Sequence, residues 1–262
     1  MAVNGNPNAL LTYLGNGDGT FTLTATTPTP NSGGFVALAD FNHDGKLDFA
    51  TSGNLLGLGN GDGTFETPQP IVASPPTGGF SNIAVGDINN DGWPDLVLPN
   101  SQLPGANLTV LVNDQHGGFT PMPTTFGVEV MQAVLADLNG DGNLDVVLQG
   151  IYGGGNVYLG DGTGQFTHWT DVAVGVGPGT DLVADVNGDG IPDLMELSAD
   201  TLVINLGNGD GTFTTWLDVG TGPSPATVLV GNLHGQASSK GLPDFILPDY
   251  TGGVTVLINT TK

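Results

Sequence analysis

Apolar residues in this chain come in short runs, each three to six residues long and bounded by Gly, Asn, Asp or Pro. A first set lies at 35–39, 83–86, 133–136, 182–184 and 227–231, and a second at 96–98, 146–148 and 245–247. A third follows a polar turn, at 108–112, 157–159, 202–206 and 254–258. A fourth, more polar segment starts at Phe21, Phe65, Phe119, Phe166 or Phe213. Runs this short, rich in branched side chains and closed by turn residues, predict β-strands, with the inner ones buried on both faces. Nowhere is there a helical period with capping residues.

The runs recur with a period. Between the first and second of each set lies D-x-N-x-D-G-x-x-D, seen whole as Asp185-Val186-Asn187-Gly188-Asp189-Gly190-Ile191-Pro192-Asp193. Copies start at Asp40, Asp87, Asp137 and Asp185, at spacings of 47, 50 and 48 residues. A fifth position, Asn232, follows 47 residues later, where the run decays to Asn232-Leu233-His234-Gly235, an insertion, and Gly241-Leu242-Pro243-Asp244. Four antiparallel strands per repeat of this length predict an all-β fold, a β-propeller of four-stranded blades. One such sheet cannot bury both faces alone; stacking against its neighbours does so. A parallel β-solenoid ranks behind, because its repeats are far shorter. The units 31–77, 78–127, 128–177 and 178–222 are complete, and 1–30 and 223–262 are partial. One propeller domain over 1–262 is expected. Six blades, two of them three-stranded, form the simplest ring; five blades, or part of a larger ring, are the alternatives. Strand alternation puts the acidic loops and the Gly-Asn-Gly-Asp-Gly hairpins on one face.

Each intact loop offers carboxylates at positions 1, 5 and 9, an amide oxygen at position 3 and a main-chain carbonyl at position 7. All the donors are oxygen, which suits Ca²⁺, an ion that takes six to eight oxygen ligands in a tolerant geometry. The candidate ligands are Asp40, Asn42, Asp44, Lys46 and Asp48 in the first loop, and Asp87, Asn89, Asp91, Trp93 and Asp95 in the second. In the third they are Asp137, Asn139, Asp141, Asn143 and Asp145, and in the fourth Asp185, Asn187, Asp189, Ile191 and Asp193. Lys46, Trp93, Asn143 and Ile191 share only a backbone, consistent with main-chain ligation. About four structural Ca²⁺ ions are expected, and none held tightly at the fifth copy, which has lost two carboxylates. Asx-rich turns without metal are the plainer reading. Carboxylates crowded into one turn repel unless a cation lies between them.

The charge agrees. The chain carries three Lys, no Arg and a net charge of −23, which argues against nucleic acid and anionic membrane surfaces. Twelve of the 26 acids sit in the four loops, so much of the charge has a local use. Four Ca²⁺ ions would bring −23 to −15. Cysteine is absent, so no disulfide or thiol chemistry enters. No apolar run is long enough to insert in a membrane. The start, Met1-Ala2-Val3-Asn4-Gly5-Asn6, is no signal peptide and reads as the interior of a repeat, so a trimmed or excised segment is expected.

Other motifs weigh less. Asp185 to Glu196 matches an EF-hand loop, but positions equivalent to Glu196 are Thr51, Leu98 and Leu148, and the flanks are strand-like. The Gly-Asn-Gly-Asp-Gly-Thr-Phe runs at Gly15, Gly59 and Gly207 are hairpins rather than phosphate cradles, since they precede no helix. His43, His116, His168 and His234 share no repeat position, and no nucleophile elbow or zinc pattern occurs; no enzyme is expected. Trp169 and Trp216 fall on fourth strands, where blade-edge packing outweighs sugar stacking. Tyr152 and Tyr250, in or near connections between second and third strands, are the candidate ligand-binding aromatics.

The acidic run, the period and the L-G-N-G-D-G-T-F hairpin together resemble the FG-GAP/VCBS repeats, the propeller units of integrin α-subunits and many secreted bacterial proteins. The resemblance covers nearly the whole chain. It implies Ca²⁺ between the first and second strands of the four intact copies, and a calcium-stabilised, extracellular or cell-surface module for adhesion or for binding a glycan or protein ligand. An architectural segment of a larger surface protein is the alternative.

Overall fold

The computed structural model describes residues 9–30, 34–72, 82–99, 108–122, 130–150, 155–172, 182–198, 200–222, 225–233 and 242–260. All regular structure in them is β, in antiparallel sheets of a β-propeller. The chain falls into two compact units, 1–129 and 130–262.

The first unit holds three sheets. β1 (Ala9–Gly15) and β2 (Phe21–Pro28) form a two-stranded one. β3 (Val36–Ala39), β4 (Asp48–Thr51), β5 (Leu55–Gly57) and β6 (Gln69–Pro70) form a complete blade. So do β7 (Ala84–Gly86), β8 (Asp95–Pro99), β9 (Leu108–Asn113) and β10 (Phe119–Met122). The second unit has two complete blades. One is β11 (Val130–Ala136), β12 (Asp145–Gly150), β13 (Gly155–Gly160) and β14 (Phe166–Val172); the other is β15 (Leu182–Ala184), β16 (Asp193–Ser198), β17 (Thr201–Gly207) and β18 (Phe213–Gly220). A three-stranded sheet follows: β19 (Leu229–Gly231), β20 (Asp244–Pro248) and β21 (Val254–Leu257).

The predicted strands are therefore present, four blades are complete and both end pieces are partial. The 1–30 piece supplies a third and a fourth strand as expected; the predicted end of a second falls outside the described residues. One detail differs from expectation. The fourth strand expected from Phe65 is reduced to a bridge between Gly59 and Phe65 and the two residues of β6. Pro68 and Pro70 explain it, since proline has no N–H to give to a ladder.

Second strands are the buried ones. All of β4 and β8 is buried, as is β12 up to Gln149. Their two faces feed different cores. In the first unit Phe41, Ala50 and Leu56 of one blade pack on Leu96, Leu98 and Leu111 of the next. In the second unit Leu138, Val147 and Val157 pack against Leu194, while Met195 and Leu197 pack against Phe245 and Leu247. Consecutive residues of one strand thus serve opposite neighbours, which is why runs such as Leu96-Val97-Leu98 carry no polar alternation. Leu96 is fully buried, so Leu96→Ala should cost about 2–5 kcal/mol of stability, read as a lowered urea midpoint at unchanged slope.

Candidate metal loops and the aspartate bracket

Each acidic loop has the same internal wiring. Its position-1 carboxylate accepts the position-6 N–H, at 2.8 Å in Asp40 and Asp87 and 2.9 Å in Asp137 and Asp185. The position-3 amide oxygen accepts the position-5 N–H: Asn42 from Asp44, Asn89 from Asp91, Asn139 from Asp141 and Asn187 from Asp189. The position-5 carboxylate accepts the position-7 N–H, from Lys46, Trp93, Asn143 and Ile191. Positions 4 and 6 both take left-handed backbone. Gly45, Gly92, Gly142 and Gly190 serve at position 6 as expected, but position 4 is His43 (φ 56°) and Asn90 (φ 57°) in the first two loops. These residue types are among the few that tolerate that region.

Position 9 does something the sequence did not reveal. Asp48, Asp95, Asp145 and Asp193 are fully buried, and each accepts two backbone N–H groups. One oxygen takes the N–H of loop position 2: Phe41, Ile88, Leu138 or Val186, at 2.8–3.0 Å. The other takes the N–H that closes the third strand: Gly59, Asn113, Gly160 or Gly207, at 2.7–2.9 Å. Asp244 repeats this in the decayed fifth copy, accepting from Leu233 at 2.8 Å and Asn259 at 2.9 Å. The bracket thus survives where the rest of the metal motif is gone. A five-fold spacing of buried Asp against Gly or Asn would have disclosed it.

In three of the loops the position-2 carbonyl then ties the loop to the following sheet. Phe41 O accepts Asn113 Nδ2 at 2.9 Å, Leu138 O accepts Gly211 N at 3.2 Å, and Val186 O accepts Asn259 Nδ2 at 2.8 Å. Loops and hairpins do share a face. Gln115 in the β9–β10 hairpin donates to Asp91 at 3.0 Å, and the imidazole of His43 stacks on the indole of Trp93 at 4.0 Å between adjacent loops. The hairpins are built on aspartate turns, in which Asp18, Asp62 and Asp210 each accept the N–H and hydroxyl of the threonine two residues on.

The electrostatics follow the burial. Desolvation pushes the Asp95 carboxyl up to about 6, helped by Asp91 and Asp87 and opposed by its two N–H donors. Asp48, Asp145 and Asp193 shift upward for the same leading reason. Asp18, Asp62 and Asp210, held by their threonines, shift downward. Among the described residues no three carboxylate or imidazole groups converge at ligand distance, because positions 1 and 5 are turned onto their own loop. The donor set nonetheless fits a hard cation: the donors it offers are all oxygen, and a divalent ion would offset the desolvation that leads the upward shift of Asp95 and the smaller repulsion from Asp91 and Asp87.

The remaining candidates sit apart. Glu196 is buried within its sheet and accepts Asn205 Nδ2 at 3.0 Å, so it is no loop ligand. His116 contacts Asp114 and His168 contacts Asp171; His234 lies outside the described residues. Trp169 is half exposed against Gly211, and Trp216 lines an apolar cavity of about 610 Å³ with Ile204, Phe245 and Val256. Tyr250 is exposed in the β20–β21 turn, and Tyr152 lies outside the described residues.

Sequence comparison finds FG-GAP-like repeats at residues 1–51, 49–98 and 137–196. Human integrin alpha-7 is 32% identical over 154 residues, covering 49% of this chain and 13% of the integrin. The chain thus spans a small fraction of that relative. Among solved structures, an Agrocybe aegerita lectin described for specific recognition of non-reducing terminal N-acetylglucosamine matches at TM-score 0.61 and 20% identity, over 99% of this chain and 79% of the lectin. A Lactobacillus plantarum protein matches at 0.54 and 16%, over 94% and 76%. The NanB sialidase of Streptococcus pneumoniae, as its K499G mutant, matches at 0.51 and 11%, over 98% and 43%. At these identities the structures share the fold alone.

Two outcomes are expected. Asp244→Asn leaves one buried N–H facing an amide donor and should cost about 1–3 kcal/mol, measured by urea denaturation. In chelator, the raised carboxyls bind protons more tightly folded than unfolded. For Asp95 that stabilisation is present below the ordinary 3.8 and is lost as pH rises through about 6, and Asp48, Asp145 and Asp193 shift in the same direction, so the melting temperature should be higher at pH 5 than at pH 7. The lowered groups act only below that window.

Proposed function

The chain belongs to the FG-GAP-like repeat family, and on that premise we propose that it is a calcium-stabilised β-propeller binding module of extracellular type, recognising a glycan or protein ligand. One observation carries the reading: four loops repeat the same all-oxygen donor set with the same internal wiring. Calcium, when bound, supplies positive charge to carboxylates that otherwise repel. The donors would be Asp40, Asn42, Asp44 and the Lys46 carbonyl in the first loop, with Asp48 behind them, and their counterparts elsewhere. The residues themselves hold the loop closed, fix the strand junction through position 9, and tie it to the next sheet through position 2.

The ligand reading draws on two likenesses: integrin α-subunits in sequence and a lectin in fold. The reading is of binding rather than catalysis, and a substrate screen with Ca²⁺ present tests that. An architectural segment of a larger surface protein is the second reading.

Binding only the folded state, each Ca²⁺ site contributes about 2.7 kcal/mol at a hundredfold excess over its Kd. Removing Ca²⁺ with EDTA should therefore lower the melting temperature by well over ten degrees, restored by adding Ca²⁺ back; an unchanged melt with the metal shown to be gone would sink structural calcium. A glycan array in millimolar Ca²⁺, repeated in EDTA, tests recognition. A calcium-dependent hit supports the lectin-like reading, and a blank moves the weight to a protein ligand or an architectural role.

A further inference from the structure

We propose that the open edge of β21 and the cavity beside it form a docking site for an extended segment of another protein, which adds as a fourth strand and lodges a phenylalanine in the cavity. This rests on the binding-module reading and takes its protein-ligand branch.

The sheet β19–β20–β21 is built like its neighbours up to the third strand, with the same aspartate bracket at Asp244. β5, β9, β13 and β17 each pair with a fourth strand; among the described residues nothing pairs with the second edge of β21. The strands that lie outermost in the other sheets each carry a device against further pairing: Pro28 in β2, Pro70 in β6, Pro121 in β10, Asp171 in β14 and Asp218 in β18. β21, Val254-Thr255-Val256-Leu257, carries none. An uncharged edge without proline is a template for an added strand.

The cavity of about 610 Å³ lies beside this edge, where β15–β18 faces β19–β21. Val186, Ile204, Leu217 and Val219 line one side, and Phe245 and Leu257 the other. In the two pairs of complete blades the corresponding space is filled by the phenylalanine that opens a fourth strand. Phe213 packs against Leu138, Val157 and Val172, which hold the places of Val186, Ile204 and Val219. Phe119 meets Phe41 edge to face at 5.8 Å, beside Ala50 and Leu56. Next to Phe213, Gly211 packs on Trp169; Trp216 holds the place of Trp169 and is 47% exposed. The space therefore fits Gly-x-Phe in an extended segment, with the glycine against Trp216 and the ring among Val186, Ile204 and Val219. A second copy of this chain has no free fourth strand to give, because Phe21, Phe65, Phe119, Phe166 and Phe213 already stand opposite their own third strands.

The probe is a free peptide with the sequence of residues 14–27, which contains Gly19-Thr20-Phe21 and no tryptophan, added to the full chain in Ca²⁺. Binding should change the protein's tryptophan emission saturably and slow amide exchange over 254–257, read by NMR. Phe21→Ala in the peptide and Leu217→Asp in the protein should each weaken binding about tenfold. Gln69 and Thr170 hold the place of Leu217 in other sheets, so Leu217→Asp should leave the melting temperature unchanged. No binding at millimolar peptide overturns the proposal, as does binding that is indifferent to both changes or that leaves exchange over 254–257 unaltered. Self-association of the chain that Leu217→Asp abolishes makes a second copy the occupant and overturns it too. A glycan-array hit without peptide binding overturns the proposal and leaves the binding-module reading standing; a blank array without peptide binding removes both.

Discussion

A buried aspartate that accepts two backbone N–H groups is the constraint on which the sheets of this protein depend. Asp48, Asp95, Asp145, Asp193 and Asp244 each sit at the start of a second strand with no exposed surface. Each joins the loop behind it to the end of the third strand beside it. The N–H groups so engaged belong to a loop and a strand terminus, neither of which has a ladder partner there, and an unmet buried donor is costly. The carboxylate meets both with charge-assisted bonds. The closing residue is glycine in three copies, and at each an added Cβ would run into the carbonyl two residues N-terminal to the loop's second strand position, Leu47, Leu144 or Pro192. Where asparagine stands instead, at Asn113 and Asn259, its amide is used to reach the preceding sheet.

From that bracket the hydrophobic and polar parts of each repeat become one unit. Loop position 2 gives its N–H to the aspartate and sinks its side chain into the core, as Phe41, Ile88, Leu138 and Val186 do at 2% exposure or less. In three of the repeats its carbonyl holds the next sheet. The acidic loop is thus anchored by packing before any ion is considered. The burial that makes the bracket effective also raises its carboxyls, so the same residue that organises the fold makes the folded state favour a positive partner.

Much of this was legible in the sequence because repetition exposes it. The four loops, the strands around them and the Asn-Gly-Asp-Gly hairpins were visible as a period, and the shared face followed from strand alternation. What was hidden depends on three-dimensional accounting. Position 9 reads only as a carboxylate of a ligand set, and its two N–H donors give it a structural role that the sequence did not disclose. His43 and Asn90 look like loop filler until their positive φ shows that position 4 needs a residue tolerant of left-handed backbone. The shortened β6 follows from Pro68 and Pro70, a local effect that a repeat average conceals. Glu196 agrees with its strand-like flanks rather than with the motif match, since the strand places it inside a sheet.

A repeat protein carries its own controls. Positions that agree in every copy, such as the bracket aspartate, answer to a demand that every copy shares, which is folding. A ligand that binds at one place imposes no such shared demand, and its residues should appear as departures from the series.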